Sequence, residues 1–163
     1  MRALLGLVAT AVLAVCLIAQ VQPPSNAART ASSSPSPYLA MAPESVTWVE
    51  AGNGTDFAIL SGSPDAGGSP FVLRLRFADQ VRIPPHWHPV DEHITVIAGT
   101  FYLGMGQKFN ESTAKEMPAG SYGFMPKEMR HFGWAKGTTI IQIHGIGPFK
   151  TNWVDPVGRP TIN

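Results

Sequence analysis

Four side chains in this sequence have the chemistry and the spacing of a metal centre. His86 and His88 are separated by one residue, and Glu92 follows after three more. His131 comes much later in the chain. Imidazole nitrogens together with a carboxylate oxygen suit a divalent transition metal, whether iron, manganese, zinc, nickel or copper. The sequence therefore predicts one such ion, bound by these four residues.

The backbone around the first two histidines is predicted to be extended. Alternate side chains of an extended chain point to the same face, so His86 and His88 share a side. Pro84 and Pro85 restrict the preceding backbone to extended or turn geometry, which limits the movement of both rings before metal binds. His131 must come from a strand that is distant in sequence, so the site would also join two parts of a sheet.

The spacing of these residues resembles the two signature motifs of the cupin superfamily, in particular small single-domain bacterial cupins of the type 2 kind. The resemblance spans roughly residues 46–153 and implies an all-β fold, the double-stranded β-helix or jelly-roll barrel. The residues that match are His86, His88, Glu92 and Gly99 for the first motif, and Gly120, Pro126 and His131 for the second.

Three positions depart from the cupin pattern. Gln80 and Glu128 stand where the family often has glycine, and Ala135 stands where it often has asparagine. None of these positions binds metal in the family. The departures therefore concern local turn conformations and leave the predicted ligands unchanged.

The acidic ligand has a competitor in the next residue. Some cupins place their acidic residue one position later, and His93 occupies that position here. The interval to Gly99 favours Glu92. Successive strand residues face opposite ways, so Glu92 and His93 cannot easily bind one ion together, and His93 remains the alternative ligand.

The chain pattern predicts many short strands separated by Gly, Pro and Ser, which is typical of an antiparallel sandwich or barrel. Residues 71–77 alternate apolar and other side chains, as expected for a half-buried strand on which Arg74 and Arg76 are solvated. Farther along, if Ile141 and Ile143 face an apolar layer, Gln142 and His144 share the other side and would line a cavity, with an exposed strand face as the alternative. The candidates to shape a substrate pocket are Tyr102, Phe124, Met125, Gln142 and His144.

The first residues predict export. Met1-Arg2 is followed by an apolar stretch and then by small residues suited to cleavage, which is the pattern of a Sec-type signal peptide, with an uncleaved membrane anchor as the alternative. We predict a signal at residues 1–27, a disordered Ser/Pro-rich linker at 28–44, a cupin domain at 45–156 and a tail at 157–163. The protein would be periplasmic or extracellular.

Composition excludes several classes of function. Lys and Arg number 12 against 11 acidic residues, so the chain lacks the clustered positive charge that a nucleic-acid surface needs. The single cysteine lies within the predicted signal, so a processed chain would have neither disulfides nor thiolate ligands. Nothing beyond the signal predicts membrane contact.

The resemblance implies a small-molecule ligand or substrate at the metal, and a homodimer, because single-cupin chains commonly dimerise. The most concrete hypothesis is a metal-dependent, dioxygenase-like oxidoreductase acting on a small organic molecule. A non-catalytic module that binds a small molecule or a metal is the alternative, because one fold hosts many functions. The sequence identifies no catalytic base outside the metal ligands, other than the unassigned His93 and His144.

Overall fold

The computed structural model describes residues 37–155, and the chain divides before Ala40 into two units. The unit that begins at Ala40 contains all the strands of the described range. The predicted signal peptide and C-terminal tail lie outside the described residues, as does most of the predicted linker. Among residues 37–155, no helix is long and apolar enough to cross a membrane.

Antiparallel strands dominate this unit, with two short 3-10 turns at Pro43–Ser45 and Glu111–Thr113. The strands are β1 (Val49–Gly52), β2 (Thr55–Gly62), β3 (Pro70–Phe77), β4 (Arg82–Trp87), β5 (Glu92–Met105), β6 (Lys115–Pro118), β7 (Tyr122–Met125), β8 (His131–Ile146) and β9 (Asn152–Trp153). The predicted all-β class is confirmed.

The strands form one curled sheet that two long strands hold together. Its main path runs β1-β2-β3-β8-β4-β9, and β5 pairs with β6, β7 and β8. β5 and β8 pair with each other from His93 opposite His144 to Met105 opposite His131. Because β8 also pairs with β3 and β4, its two halves connect different parts of the barrel. This arrangement is the jelly roll expected from the cupin resemblance.

The alternation predicted for β3 is confirmed. Phe71, Leu73 and Phe77 are buried in the hydrophobic core. The two arginines face the other side, but they are not simply solvated. Arg74 Nε donates a hydrogen bond of 3.1 Å to the Gln142 side chain, and Arg76 forms an ion pair of 2.6 Å with Asp56.

Two of the three departures from the cupin motifs lie in the left-handed backbone region. Gln80 has φ 63° and Glu128 has φ 65°, values that favour glycine because a Cβ is crowded there. Each residue is held by its neighbours. Gln80 N–H donates to the Ala135 carbonyl at 2.9 Å, and Glu128 N–H donates to the His88 carbonyl at 2.7 Å. The turns of the motif therefore form without the usual glycines.

We predict that Gln80→Gly and Glu128→Gly each raise the free energy of unfolding by about 0.5–1 kcal/mol. Glycine removes a left-handed strain of about 1–2 kcal/mol but costs about 0.5–1 kcal/mol in chain entropy. Urea unfolding of each variant measures the difference. Lys127→Gly is the matched control, since Lys127 has no positive φ and the same change there should be destabilising. Equal effects at positions 127 and 128 would contradict this explanation.

Candidate metal centre

The four predicted ligands lie at the ends of three strands that meet inside the barrel. His86 is near the end of β4, and His88 follows that strand directly. His131 begins β8 and is the pairing partner of His86, while Glu92 begins β5. All four residues are at most 7% exposed. Residues distant in sequence therefore meet because β4 pairs with β8.

Their donor atoms converge. One ring nitrogen from each of His86, His88 and His131 lies within 4.8 Å of the others. Glu92 Oε2 is 3.1 Å from His131 Nε2 and 3.6 Å from His88 Nε2. The three nitrogens are therefore close enough together to bind one ion, and the Glu92 carboxylate lies beside two of them.

Backbone carbonyls orient all three rings. The Nδ1 atoms of His86, His88 and His131 lie 2.8, 2.9 and 2.9 Å from the carbonyl oxygens of Pro84, Lys150 and Met129 respectively. A carbonyl oxygen only accepts, so each Nδ1 must carry the proton. In a neutral ring this leaves the Nε2 lone pair free to bind a metal, as carbonyl partners do in metal sites.

Two donor atoms of the site have no hydrogen-bond partner. His88 Nε2 and Glu92 Oε2 are both buried, and within residues 37–155 neither makes a hydrogen bond. A buried polar atom without a partner normally costs about 1–3 kcal/mol, and more when it is charged. A cation would satisfy both atoms at once. The residues present therefore fit a bound metal ion.

Burial favours the neutral form of His86 and His88. Desolvation lowers the pKa of His86 from 6.5 to about 3, and the charges of His131 and His88 act in the same direction. Burial also lowers the pKa of His88, although nearby Glu92 opposes this shift. Because a metal binds only the deprotonated ring, these shifts favour a site ready for an ion near neutral pH.

The segment after β8 contributes to the site in a way that sequence reasoning missed. The Phe149 ring stacks on His88 at 4.0 Å between centroids, and Trp153 contacts His86 at 5.3 Å. Lys150 supplies the carbonyl that orients His88, and Trp153 of β9 pairs with His86 of β4. No spacing rule connects these residues with the histidines, because the contacts depend on how the chain returns across the barrel.

The structure places His93 away from the converging atoms. Its ring stacks on His144 at 4.8 Å, and its Nδ1 shares a 2.7 Å hydrogen bond with the Tyr122 hydroxyl. Tyr122 is 58% exposed, which puts this group on the outer side of the sheet. Strand alternation explains the separation, since neighbouring residues of β5 face opposite ways.

A cavity of about 330 Å³ adjoins the four ligands. Its walls are mainly apolar and come from several strands. Besides the four predicted ligands, the buried side chains that line the cavity are all apolar: Leu73, Phe77, Ile94, Phe101, Leu103, Phe132, Ile141 and Ile143.

None of the five predicted pocket residues lines this cavity. Met125 is buried in the hydrophobic core. The other four side chains do not contribute to the cavity wall. Ile141 and Ile143 do face an apolar layer, as expected, but that layer is the cavity wall itself. The four residues with other contacts are Tyr102, which stacks on Trp134; Phe124, which is exposed; Gln142, which binds Arg74; and His144, which stacks on His93.

Comparison with known families identifies the domain. A family model described as the ChrR cupin-like domain matches residues 37–150, well over half of the chain. The chain belongs to this cupin family. The match begins before the domain start at residue 45 that composition suggested. No curated protein sequence matches the chain closely enough to count as a relative.

Solved structures agree on the cupin fold. The polyketide cyclase RemF from Streptomyces resistomycificus has a TM-score of 0.59 at 18% identity, covering 72% of this chain and 86% of that one. An acetylacetone dioxygenase from Acinetobacter johnsonii has a TM-score of 0.55 at 16% identity, covering 76% and 80%. Rhodobacter sphaeroides SigE in complex with the anti-sigma ChrR gives 0.50 at 23% identity, covering 64% and 50%. At these identities the likeness shows the fold alone.

We predict that ligand variants of this cupin lose metal. His88→Ala should lower metal affinity at least about 100-fold, and Glu92→Gln at least about tenfold. Loss of a residue that only orients a metal ligand already lowers affinity by about 10- to 100-fold, so loss of a ligand should have at least a comparable effect. Elemental analysis and a competitive chelator titration measure both. His93→Ala is the matched control and should bind metal as the parent does. Loss of metal in His93→Ala with retention in Glu92→Gln would reverse the assignment of the acidic ligand.

We also predict that the metal-free protein loses stability as the pH falls below 6.5. The unfolded chain takes up a proton at His86 near pH 6.5, whereas the folded chain resists this until about pH 3. The stability from neutral His86 is therefore complete above pH 6.5 and is lost progressively toward pH 3, by up to about 1.4 kcal/mol per pH unit. Urea unfolding between pH 7 and 5 measures the slope. His86→Asn should make the slope shallower, although the contribution of His88 remains. An unchanged slope would contradict the burial effect.

Proposed function

We propose that this protein is an exported cupin that holds one divalent transition-metal ion with His86, His88, Glu92 and His131. We further propose that it oxidises a small organic molecule in a dioxygenase-like reaction, in which both atoms of O₂ enter the product. The observation that carries the proposal is the contact between the ligand cluster and the cavity of about 330 Å³. A purely structural metal site is normally closed by protein ligands, whereas a catalytic one faces open space.

The metal would supply Lewis-acid or redox chemistry when bound, because four protein ligands leave coordination positions open on a six-coordinate ion. The protein itself supplies position and environment. Carbonyls hold the three rings with Nε2 inward, while Glu92 provides negative charge that offsets the charge of the cation. Apolar walls such as Phe132 and Ile141 exclude water from the adjoining space.

The oxidative assignment is supported by chemistry and by fold. A mixed nitrogen and carboxylate first shell with open positions is characteristic of non-haem iron oxygenases, although their usual set has two histidines. An acetylacetone dioxygenase shares this fold at 16% identity, which makes the same type of reaction a reasonable proposal for this site. Iron or manganese is the metal that fits this function.

A non-catalytic binding module is the second candidate, and one observation favours it. Apart from the metal ligands, the cavity lining within the described residues contains no histidine or carboxylate that could transfer a proton. A protein that captures a small molecule or a metal needs no such group. Zinc or copper in the native protein, with no oxygen consumption, would support this function.

Export would determine the compartment in which the protein acquires its metal. A chain that crosses the membrane unfolded by a Sec-type route would acquire its ion afterwards, where cytosolic metal levels do not select it. Intrinsic affinities rise toward copper and zinc, so the ligand set alone does not name the native metal.

We predict that protein purified from the exported fraction begins at Ala28 and contains close to one iron or manganese ion per chain. Oxygen uptake with a panel of small organic molecules should then be lost in His131→Ala, because the ion loses a ligand, and retained in His144→Ala. Mass spectrometry, elemental analysis and an oxygen electrode make the three measurements. Zinc or copper in the exported protein, without oxygen uptake, would contradict the proposed enzymatic activity. Retention of residues 1–27 would contradict cleavage of the predicted signal peptide.

A further inference from the structure

We infer that the molecule bound by this cupin is uncharged and mostly apolar, with its metal-binding oxygen atoms confined to one end. This inference rests on the proposed function, because it concerns the same site. It specifies the class of substrate, which neither the fold nor the ligand cluster determines. Three features of the cavity carry it: the distribution of polar groups, the state of the nearest cation and the volume.

Polar groups occupy only one part of the cavity's buried surface. His86, His88, Glu92 and His131 are the only polar side chains among the buried residues that line it within the described range. The other buried lining residues are all apolar and come from β3, β5 and β8. The polar residues Asn53, Thr55, Arg82 and Thr151 also line the space, but they are partly or fully exposed. A bound molecule therefore meets polar atoms at the metal end and at the exposed rim, and hydrocarbon on the buried walls between them.

Among the described residues, Arg82 is the one cationic side chain that lines the cavity, and it already has a partner. Arg82 lines the space but lies at the surface, where its guanidinium forms an ion pair of 2.6 Å with Glu111. The same guanidinium lies over the Phe109 ring at 5.5 Å. A charged group on the bound molecule, away from the metal, would therefore lose its water without gaining a buried counter-ion, which is strongly unfavourable.

Aromatic walls favour a flat or compact apolar body. Phe77 and Phe101 both line the cavity, and their rings are stacked at 5.9 Å with an angle of 17°. Phe132, which also lines the cavity, is fully buried. The volume of about 330 Å³ lies at the lower end of the range for small-molecule pockets. A single ring or a short branched chain, attached to a chelating head, fits this space.

Three hydroxamates with the same metal-binding head test this inference on the cobalt-loaded protein. Acetohydroxamate carries a methyl group, benzohydroxamate a phenyl ring, and 4-carboxybenzohydroxamate a charged ring. Titration of the cobalt absorption bands gives each dissociation constant. Burial of a phenyl ring should make benzohydroxamate bind at least about tenfold more tightly than acetohydroxamate. The carboxylate should remove that gain.

Two variants on β3 test whether the cavity wall causes the preference for the phenyl compound. Leu75 lines the cavity, so Leu75→Gln should reduce the preference for phenyl over methyl at least about fivefold, by placing an amide among apolar groups. Val72 is on the same strand but does not line the cavity, so Val72→Gln should leave the preference unchanged. The acetohydroxamate affinity reports whether each variant retains an intact metal centre.

The possible failures are distinguishable. Equal binding of the methyl and phenyl compounds, or tighter binding of the carboxylated one, would overturn the inference while the cobalt response still showed a working metal centre. An unchanged preference in Leu75→Gln would also overturn it. If no hydroxamate perturbed the cobalt spectrum, an open metal site would be absent, and both the proposed function and this inference would fail.

Discussion

The buried convergence of three imidazoles and a carboxylate is the constraint on which the rest of this molecule depends. Such groups are costly to remove from water, and here Glu92 Oε2 and His88 Nε2 have no hydrogen-bond partner among the described residues. The fold tolerates them because backbone carbonyls fix the outer nitrogen of each ring. A cation can then satisfy every inward donor atom at once.

The barrel and the site depend on the same strand pairings. His86 and His131 are direct partners in the pairing of β4 with β8, so the pairing that closes this part of the barrel also brings two ligands together. The segment that follows β8 adds the Lys150 carbonyl and the rings of Phe149 and Trp153 around them. A change at this distant end of the chain therefore affects ligand geometry as well as packing.

The cavity shows why strand alternation alone was insufficient to find the pocket. Alternation on β8 correctly separated Ile141 and Ile143 from Gln142 and His144, but it did not say which side was the interior of a curled sheet. The usual association of polar side chains with a ligand pocket favoured Gln142 and His144, which lie on the side of β8 that does not line the cavity. In this barrel the cavity lies within the hydrophobic core, so its lining is mainly apolar. Met125 is buried too, yet in a part of the core that does not line the cavity.

The sequence alone determined the all-β class and the candidate metal ligands, because residue chemistry and local spacing are properties of the chain itself. The Gly99 interval and strand alternation also favoured Glu92 over His93, and the structure places those two side chains on opposite faces. Tertiary structure decided what depends on long-range pairing: the convergence of the four donor atoms, the aromatic contacts of Phe149 and Trp153, and the face that became the cavity. It also allowed Gln80 and Glu128 to replace glycines, since hydrogen bonds that their backbone N–H groups donate to distant carbonyls hold them in a conformation that local preference disfavours.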